Sequence, residues 1–360
     1  ISNQRVNAIE EDAQGYIWMG TFRGLNRYNG NDFHQYFNTE DSSSVADNQI
    51  KAIYKDSKAR LWVATVNGVS LYGAQGTFFT APIEAKSRNA IQLFENKEGT
   101  IFANMVVQLC VYDTEKKRFK VVVDHFLDDE NFLNTCHIDK ADRIWSVTSY
   151  HIRSYNSSTL KLLSVTKSET PIHYSFLRDN GELWLASLNT LSIYNTNSGK
   201  FMSIPTAISR HPVLSKSIIT LIHPYDNVSL LINTQKDGLF LYNANSGKVI
   251  GQNESGFPFE APNFEITSMF TDSKKNLWIG STDQGFTVSY NYKKHFNNNN
   301  FLQARFQNKS VTSIFPDKQK NLWIATTLHG LFVYNTEKQN VKEVNTSLFF
   351  TGDKSYKDRV

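Results

Sequence analysis

The 360-residue chain lacks the features that mark several common protein classes. Its two cysteines, Cys110 and Cys136, are too few for a disulfide framework or a cysteine metal site, and whether they pair stays open. No apolar run approaches the roughly 18 residues of a membrane-spanning helix. The net charge is only +4 and the basic residues are scattered, so nothing indicates a nucleic-acid partner. We therefore expect no cofactor and no metal.

Motifs of catalytic sites are also missing. The nine histidines show no spacing that would place two metal ligands on one element. No glycine-rich phosphate loop leads from a strand into a helix, and the Gly-x-Ser-x-Gly elbow is absent. No segment has sustained helical periodicity with caps, which predicts almost no helix. The sequence therefore predicts that this chain is not itself an enzyme.

What the chain does contain is a repeat of about forty-four residues, present in eight copies. All six tryptophans fall at one phase of this repeat, and a phenylalanine and a leucine fill the two gaps. The eight centres are Trp18, Trp62, Phe102, Trp145, Trp184, Leu231, Trp278 and Trp323. Chance does not place every tryptophan of a chain in this way, so the repeat reflects the architecture.

Other positions recur around the aromatic centre, as the first copy shows. Asp12 stands six residues before Trp18, Thr21 three residues after it, and Gly24 precedes Tyr28. Aspartate favours a turn because its side chain accepts hydrogen bonds from nearby backbone amides. Glycine supplies the positive φ of a tight hairpin. The pattern thus predicts a strand, an Asp-centred turn, a second strand, a hairpin and a third strand.

A fourth strand is expected around residues 33–36, which gives four strands in each copy. Four strands at this period are typical of a propeller blade, since a flat sheet buries its two faces by stacking on its neighbours. We therefore predict an all-β fold, a β-propeller of seven or eight four-stranded blades, with eight repeats counted over residues 1–360. The seven-bladed alternative assigns the last copy, about residues 307–360, to a following propeller.

Residues 6–28 spell Val-x-x-Ile-x-x-Asp-x-x-Gly-x-Ile-Trp-x-Gly-Thr-x-x-Gly-Leu-x-x-Tyr almost completely. This pattern resembles the two-component regulator propeller repeat family, and residues 50–72, 266–290 and 311–334 match it well. The resemblance implies the N-terminal propeller portion of a periplasmic sensor region, in an inner-membrane hybrid two-component system of Bacteroidetes type. It further implies an oligosaccharide ligand and, as partners in the same polypeptide, a second propeller, an immunoglobulin-like domain, a membrane helix and a histidine kinase. A homodimer of the full-length protein is also implied.

In a four-stranded blade, the hairpin between the second and third strands emerges on the same face as the connection to the next blade. Polar residues on these hairpins, with nearby aromatics such as Phe22 and Tyr150, would suit a saccharide. The candidate ligand-binding residues are Arg23, Asn67, His151, Asn189, Lys236, Asp283 and His329. The alternative for each is an ordinary solvated hairpin residue.

Two other functions stay open at this point. The connections between blades are expected to vary in length. A propeller glycoside hydrolase or lyase would need paired acids on the face that carries these connections and the hairpins, where Asp237 and Asp283 are the candidates. A protein-interaction scaffold would bind a protein partner and no glycan.

Overall fold

The computed structural model describes residues 1–39, 41–124, 134–188, 190–291, 302, 305–336, 338 and 340–344. The prediction of an all-β fold is confirmed, because the described residues lie mainly in strands. The helical segments with assigned bounds are short: helix α1 (Thr206–Ser209) and two 3-10 turns, Ala74–Gly76 and Leu214–Lys216. Within the described ranges, no helix is long and apolar enough to cross a membrane.

The strands of the described residues form eight sheets, one for each repeat, and each sheet is called a blade below. Blades 1 and 2 contain β1 (Val6–Glu11), β2 (Ile17–Thr21), β3 (Gly24–Tyr28), β4 (Phe33–Tyr36), β5 (Ile50–Lys55), β6 (Leu61–Thr65), β7 (Gly68–Tyr72) and β8 (Phe78–Ala81). Blade 3 contains β9 (Ile83–Glu84), β10 (Ala90–Glu95), β11 (Ile101–Met105), β12 (Gln108–Asp113) and β13 (Arg118–Val123). Blades 4 and 5 contain β14 (Asn134–Ile138), β15 (Arg143–Thr148), β16 (His151–Asn156), β17 (Leu162–Lys167), β18 (Ile172–Leu177), β19 (Glu182–Ser187), β20 (Leu191–Asn195) and β21 (Lys200–Met202).

The remaining blades follow the same plan. Blade 6 contains β22 (Ile219–Pro224), β23 (Ser229–Thr234), β24 (Leu239–Asn243) and β25 (Lys248–Gly251). Blade 7 contains β26 (Ile266–Thr271), β27 (Leu277–Ser281) and β28 (Phe286–Ser289), and blade 8 contains β29 (Val311–Pro316), β30 (Asn321–Thr326), β31 (Leu331–Asn335) and β32 (Asn340–Val344). Neighbouring strands in chain order pair antiparallel, except that the two-residue β9 pairs parallel with β13.

The recurrent aspartate fixes the turn between the first two strands and also binds the tryptophan. In blade 2, Asp56 Oδ1 accepts the backbone amides of Lys58 and Arg60, and Asp56 Oδ2 accepts the indole N–H of Trp62 over 2.8 Å. The same indole bond occurs in four other blades, at Trp18, Trp145, Trp278 and Trp323, over 2.7 to 3.0 Å. One carboxylate therefore ties the turn to the ring that packs between blades.

Residues 1–291 form one compact unit, and within it seven blades close into a ring. The first strand of each blade contacts the first strands of the two neighbouring blades, and β26 of blade 7 contacts β1 of blade 1. At this closure Thr267 Oγ1 and Ser268 Oγ donate to the carbonyl oxygen of Val6 over 2.5 and 3.1 Å. The contacts around the ring are thus complete without blade 8.

The closure repeats the contacts between blades that follow each other along the chain. Ser273 of blade 7 donates its amide and hydroxyl to the carboxylate of Glu11 in blade 1, over 2.7 and 2.8 Å. Ser57 of blade 2 makes the same two bonds to Glu95 of blade 3, over 2.7 and 2.6 Å. Blade 7 therefore relates to blade 1 as one blade relates to the next along the chain.

The described part of residues 292–360 belongs to a second unit, which contains blade 8. All six residues of its first strand are exposed, including Val311 at 41%, Ile314 at 59% and Phe315 at 67%. The equivalent Val6 and Ile9 of blade 1 are 0% and 8% exposed because neighbouring blades cover them. In a propeller, apolar residues at these positions of the first strand are buried by the neighbouring blades.

Cys110 and Cys136 are both buried free thiols. They belong to different apolar clusters, because Cys110 packs with Trp62 and Phe119 whereas Cys136 packs with Phe102 and Tyr155. The disulfide that the sequence left open is therefore absent from the structure.

Candidate functional site

The hairpins between second and third strands share one face of the ring with the connections between blades. Backbone hydrogen bonds join the two sets of segments: Gly24 N donates to Asn48 O over 2.7 Å, and Gln235 N donates to Ile218 O over 2.9 Å. We call this surface of the residues 1–291 unit the hairpin face. These bonds agree with the expectation that the hairpins and the connections between blades emerge on the same face.

The predicted site residues occupy this kind of position with two exceptions. Arg23, Asn67, Lys236 and Asp283 are exposed residues of hairpin turns. His329 is an exposed residue of the corresponding hairpin in the second unit. His151 instead begins strand β16 and is half-buried, because the turn before it is formed by Ser149 and Tyr150. Asn189 lies outside the described residues.

Lys236 and the candidate acid Asp237 line a polar pocket of about 450 Å³ on the hairpin face, at the junction of blades 6 and 7. Asp283 lies on the hairpin of blade 7 but does not line this pocket, so the structure does not bring the two candidate acids together there; Arg23, Asn67 and His151 lie on other blades, and His329 belongs to the second unit. We call this cavity the blade 6–7 pocket. Its lining residues are Asn233, Thr234, Gln235, Lys236, Asp237, Gly238, Gln252, Asn253, Pro262, Asn263, Phe264, Glu265 and Ile266.

The hairpin that forms one wall of this pocket is held by its own side chains. Thr234 Oγ1 donates to Gly238 O over 2.8 Å and accepts the amide of Asp237 over 3.0 Å. Gly238 has a φ of 81°, and a Cβ atom there would lie 2.6 Å from the side chain of Gln252. Gln252 Oε1 in turn accepts the amide of Leu239 over 2.7 Å. Glycine is thus required where the hairpin meets this glutamine.

Two carboxylates and one ammonium group contribute charge to the pocket. Asp237 Oδ2 accepts the hydroxyl of Ser217 over 2.7 Å, and Glu265 Oε2 accepts the hydroxyl of Thr282 over 3.1 Å. Each carboxylate keeps further lone pairs for a ligand. Lys236 makes no ion pair with any described residue. With several amide side chains and the ring of Phe264, this lining can donate and accept many hydrogen bonds and can stack on an apolar face.

The connection after blade 6 contributes residues that the sequence did not single out. Asn263, Phe264 and Glu265 come from this connection, which was expected to vary in length but gave no candidate residue. The sequence signal that could have drawn attention to this connection is that it follows the sixth repeat, in which Leu231 replaces the tryptophan. The pocket combines this connection with a hairpin, and sequence spacing does not show that the two converge.

His151 lies instead in a larger groove of about 780 Å³ between the outer strands of blades 3 and 4. Most of its lining is apolar, with Val123, Leu162 and Val165 among the residues, so its chemistry differs from that of the blade 6–7 pocket. Within the described ranges, no group of three or more histidine, cysteine or acidic side chains could hold a metal ion.

Comparisons with known proteins agree with the repeat and the fold. Residues 1–23 and 305–327 match the sequence profile of the two component regulator propeller family. No curated protein sequence matches the chain.

Solved structures with the same fold include extracellular domains of two hybrid two component systems from B. thetaiotaomicron. The BT3049 domain is 18% identical with a TM-score of 0.64, over 96% of this chain and 53% of that chain. The BT4673 domain is 17% identical with a TM-score of 0.67, over 90% of this chain and 48% of that chain. This chain thus spans about half the length of those domains.

An enzyme shares the fold as well. Virginiamycin B lyase from Staphylococcus aureus is 11% identical with a TM-score of 0.60, over 79% of this chain and 94% of that chain. At these identities the structural likeness shows the fold and does not by itself assign a function. The sheets of the described residues and the likeness to solved structures show a β-propeller fold, and residues 1–23 and 305–327 are similar to the two component regulator propeller repeat.

Proposed function

We propose that this chain is the ligand-binding propeller region of an extracytoplasmic sensor in a hybrid two-component system. The profile match at two repeats and the shared fold with extracellular domains of such systems support this role. In this proposal the chain lies in the periplasm and signals to a histidine kinase in the same polypeptide, through an immunoglobulin-like domain and a membrane helix. A ligand signals only if it binds two states of the sensor with different affinities, and in this proposal the full-length sensor is a homodimer.

The ligand we propose is an oligosaccharide, and the observation that carries this proposal is the blade 6–7 pocket. Sugar hydroxyls need both donors and acceptors, which the pocket supplies through Lys236, Asn263 and the two carboxylates. The ring of Phe264 supplies an apolar surface for a sugar face. Pockets of several hundred cubic ångströms with convergent polar groups are common ligand sites.

The test is a panel of neutral oligosaccharides, assayed by the shift in Tm and by calorimetric titration. We expect one or more members to bind the parent protein, and the Asn263→Ala variant to bind about tenfold more weakly because one or two hydrogen bonds are lost. Asn67→Ala is the matched control, because it removes an equally exposed asparagine from the hairpin of blade 2. The proposal would be contradicted if no member of the panel binds the parent protein, or if Asn263→Ala and Asn67→Ala weaken oligosaccharide binding equally.

A second candidate function is a glycoside hydrolase or lyase, and one observation favours testing it. Asp237 and Glu265 line the same pocket, and paired carboxylates can act as general acid and base. Turnover of a polysaccharide by the purified chain, abolished in both Asp237→Asn and Glu265→Gln, would support the enzyme. Binding without turnover would support the sensor, and binding of a protein partner without any glycan would support a scaffold.

We further propose that blade 8 is the first blade of a following propeller. The exposed apolar residues of β29, at positions where blades 1 to 7 are covered, support this assignment. A fragment that ends at residue 291 should then keep the far-ultraviolet spectrum of a β protein and unfold cooperatively. Loss of cooperative unfolding in this fragment would show that the seven blades need blade 8.

A further inference from the structure

Two basic side chains lie next to each other on the hairpin face where blades 1 and 2 meet. Arg5 immediately precedes β1, and its carbonyl oxygen accepts the amide of Phe22 in the hairpin of blade 1 over 3.1 Å. Lys51 is the second residue of β5, so it lies at the hairpin-face end of the neighbouring first strand. Arg5 is exposed, whereas Lys51 is half-buried.

Irregularities in the local backbone place Lys51 and Asn7 at the junction between blades 1 and 2. The pairing of β5 with β6 shifts register between Ile50 and Ala52, and that of β1 with β2 shifts between Val6 and Ala8. Such bulges redirect a side chain away from the regular alternation of a strand. Asn7 and Lys51 occupy these irregular positions, on either side of the junction between blades 1 and 2.

Asn7 holds the two basic residues in place. Arg5 Nε donates to Asn7 Oδ1 over 3.3 Å, and Asn7 Nδ2 donates to the carbonyl oxygen of Ile50, the residue before Lys51, over 2.8 Å. The guanidinium carbon of Arg5 also lies 5.9 Å from the ring centroid of Phe22. Asn7 and the ring of Phe22 thus hold the Arg5 guanidinium beside the backbone at Lys51, which lowers the entropy cost of ordering Arg5 when a ligand binds.

Neither Arg5 nor Lys51 forms an ion pair with a described residue. Asp47, the acidic residue closest to Lys51 in the sequence, accepts the amide of Gln49 over 2.8 Å. Burial, and then the charge of Arg5, lowers the pKa of Lys51. Like charges held together without a carboxylate destabilise the protein, and a bound anion would relieve this repulsion.

We propose that Arg5 and Lys51 form a binding site for an anionic group of the ligand, either a carboxylate or a sulfate ester. This inference rests on the proposed oligosaccharide-binding function and narrows the ligand to an acidic saccharide. Charge-assisted hydrogen bonds from arginine and lysine are the usual means of binding such groups.

The basic pair and the blade 6–7 pocket are connected through the hairpin of blade 7. Thr282 donates to Glu265 of the pocket, and Gly285 N donates to the carbonyl oxygen of Gln4, the residue before Arg5, over 2.8 Å. The two sites therefore lie on the same face with one hairpin between them. An oligosaccharide of several residues can place an acidic residue at the pair and a neutral residue in the pocket.

The experiment measures affinity for three probes by calorimetric titration: a trisaccharide of galacturonic acid, its methyl ester, and a sulfated disaccharide. The variants are Arg5→Gln, Lys51→Gln and the double variant. Lys58→Gln is the control, because it removes the same charge from an exposed lysine of the Asp-centred turn of blade 2, on the opposite face. We expect the acidic trisaccharide or the sulfated disaccharide to bind about tenfold more weakly for each residue replaced, and the control to bind as the parent does.

The outcomes separate this inference from the proposed function. Preference for the carboxylate or for the sulfate probe identifies which anionic group the site takes. Equal affinity for the acid and its methyl ester, unchanged affinity in the double variant, or no binding of either acidic probe overturns the anionic site. In each of these cases, binding of a neutral oligosaccharide that Asn263→Ala weakens still supports the proposed function. If Asn263→Ala leaves the affinity for the acidic probes unchanged, this result supports the basic pair as a binding site and refutes the blade 6–7 pocket as one.

Discussion

Closure of the ring between blades 7 and 1 depends on Gly280, and an alanine at this position tests it. Gly280 lies in β27, two residues after Trp278, and a Cβ atom there would lie 2.9 Å from Val6 Cβ and 2.4 Å from Ser268 Oγ. Gly20 has the same relation to blade 2, because its Cβ would lie 2.4 Å from Ile50 Cγ2. Neither glycine has a positive φ, so the expected effect is steric and not a matter of backbone conformation.

The magnitude follows from the neighbours that would have to move. Val6 is fully buried and β-branched, so it cannot rotate away from the new methyl group. Overpacking of this kind costs about 1–3 kcal/mol, and displacing Ser268 also weakens its bond to Val6 O, worth about 1 kcal/mol. We therefore expect Gly280→Ala to lower the free energy of unfolding by about 2–4 kcal/mol.

Urea denaturation followed by fluorescence measures this change, with Gly73→Ala as the control. Gly73 has a φ of −109° and its Cβ would meet only the side chain and carbonyl of Thr77 at 3.2 Å or more, so we expect a change within about 0.5 kcal/mol. Because Gly280 acts through Val6, Val6→Ala should destabilise the Gly280→Ala protein less than it destabilises the parent. Parent-like stability of Gly280→Ala, or strict additivity with Val6→Ala, would refute the closure described here.

Two further predictions concern single carboxylates. Burial raises the pKa of Glu10 to about 7, and the smaller effects of backbone amides and of Lys55 oppose this shift. The folded protein therefore binds this proton more tightly than the unfolded chain does. Its stability decreases as the pH rises from about 4.5 to 7. Glu10→Gln should remove that loss and be more stable than the parent at pH 8, and identical pH profiles in urea denaturation would contradict this. Burial alone would raise the pKa of Asp56, but hydrogen bonds from the indole of Trp62 and the contacts of Arg60 outweigh burial and hold this pKa below its usual range. The ionised Asp56 therefore stabilises the folded protein above about pH 4, and this stabilisation is lost in acid. Asp56→Asn should lower the free energy of unfolding at pH 7 by about 1–3 kcal/mol, whereas Asp32→Asn, at an exposed hairpin carboxylate, should leave it within about 0.5 kcal/mol.

Most of the blade could be predicted because its signals are local. The fourth strand of the first repeat was expected around residues 33–36 and is found at Phe33–Tyr36. The turn role of Asp12 is also confirmed, since its Oδ1 accepts two backbone amides of the turn. The bond from Asp12 to the indole of Trp18 was not anticipated, although their constant spacing of six residues in five repeats contained that signal. A spacing shows that two residues recur together but not which atoms they join.

Closure of the ring could not be predicted from repeat counting, because every repeat has the same local pattern. What distinguishes seven blades from eight is the contact of Val6 with Ser268 and Gly280, between residues more than 250 positions apart. The candidate site fails to be predictable for the same reason. Lys236 was found because hairpins can be placed from sequence, whereas Asn263 and Glu265 reach it along a connection without regular structure.

The position of the blade 6–7 pocket has a physical rationale in the repeat itself. Five blades use the aspartate–indole bond, and blade 5 uses Glu182 to bind Trp184 instead, over 3.1 Å. Blade 6 has Leu231 at this position and no indole to bind, and it is packed against α1 and the 3-10 turn before β22 through Ile208 and Leu214. Its core is thus completed by a connection on the hairpin face, and Ser217 at the end of that connection binds Asp237 of the pocket. The connection that packs into the core between blades 5 and 6 therefore also contacts the pocket, through the hydrogen bond from Ser217 to Asp237.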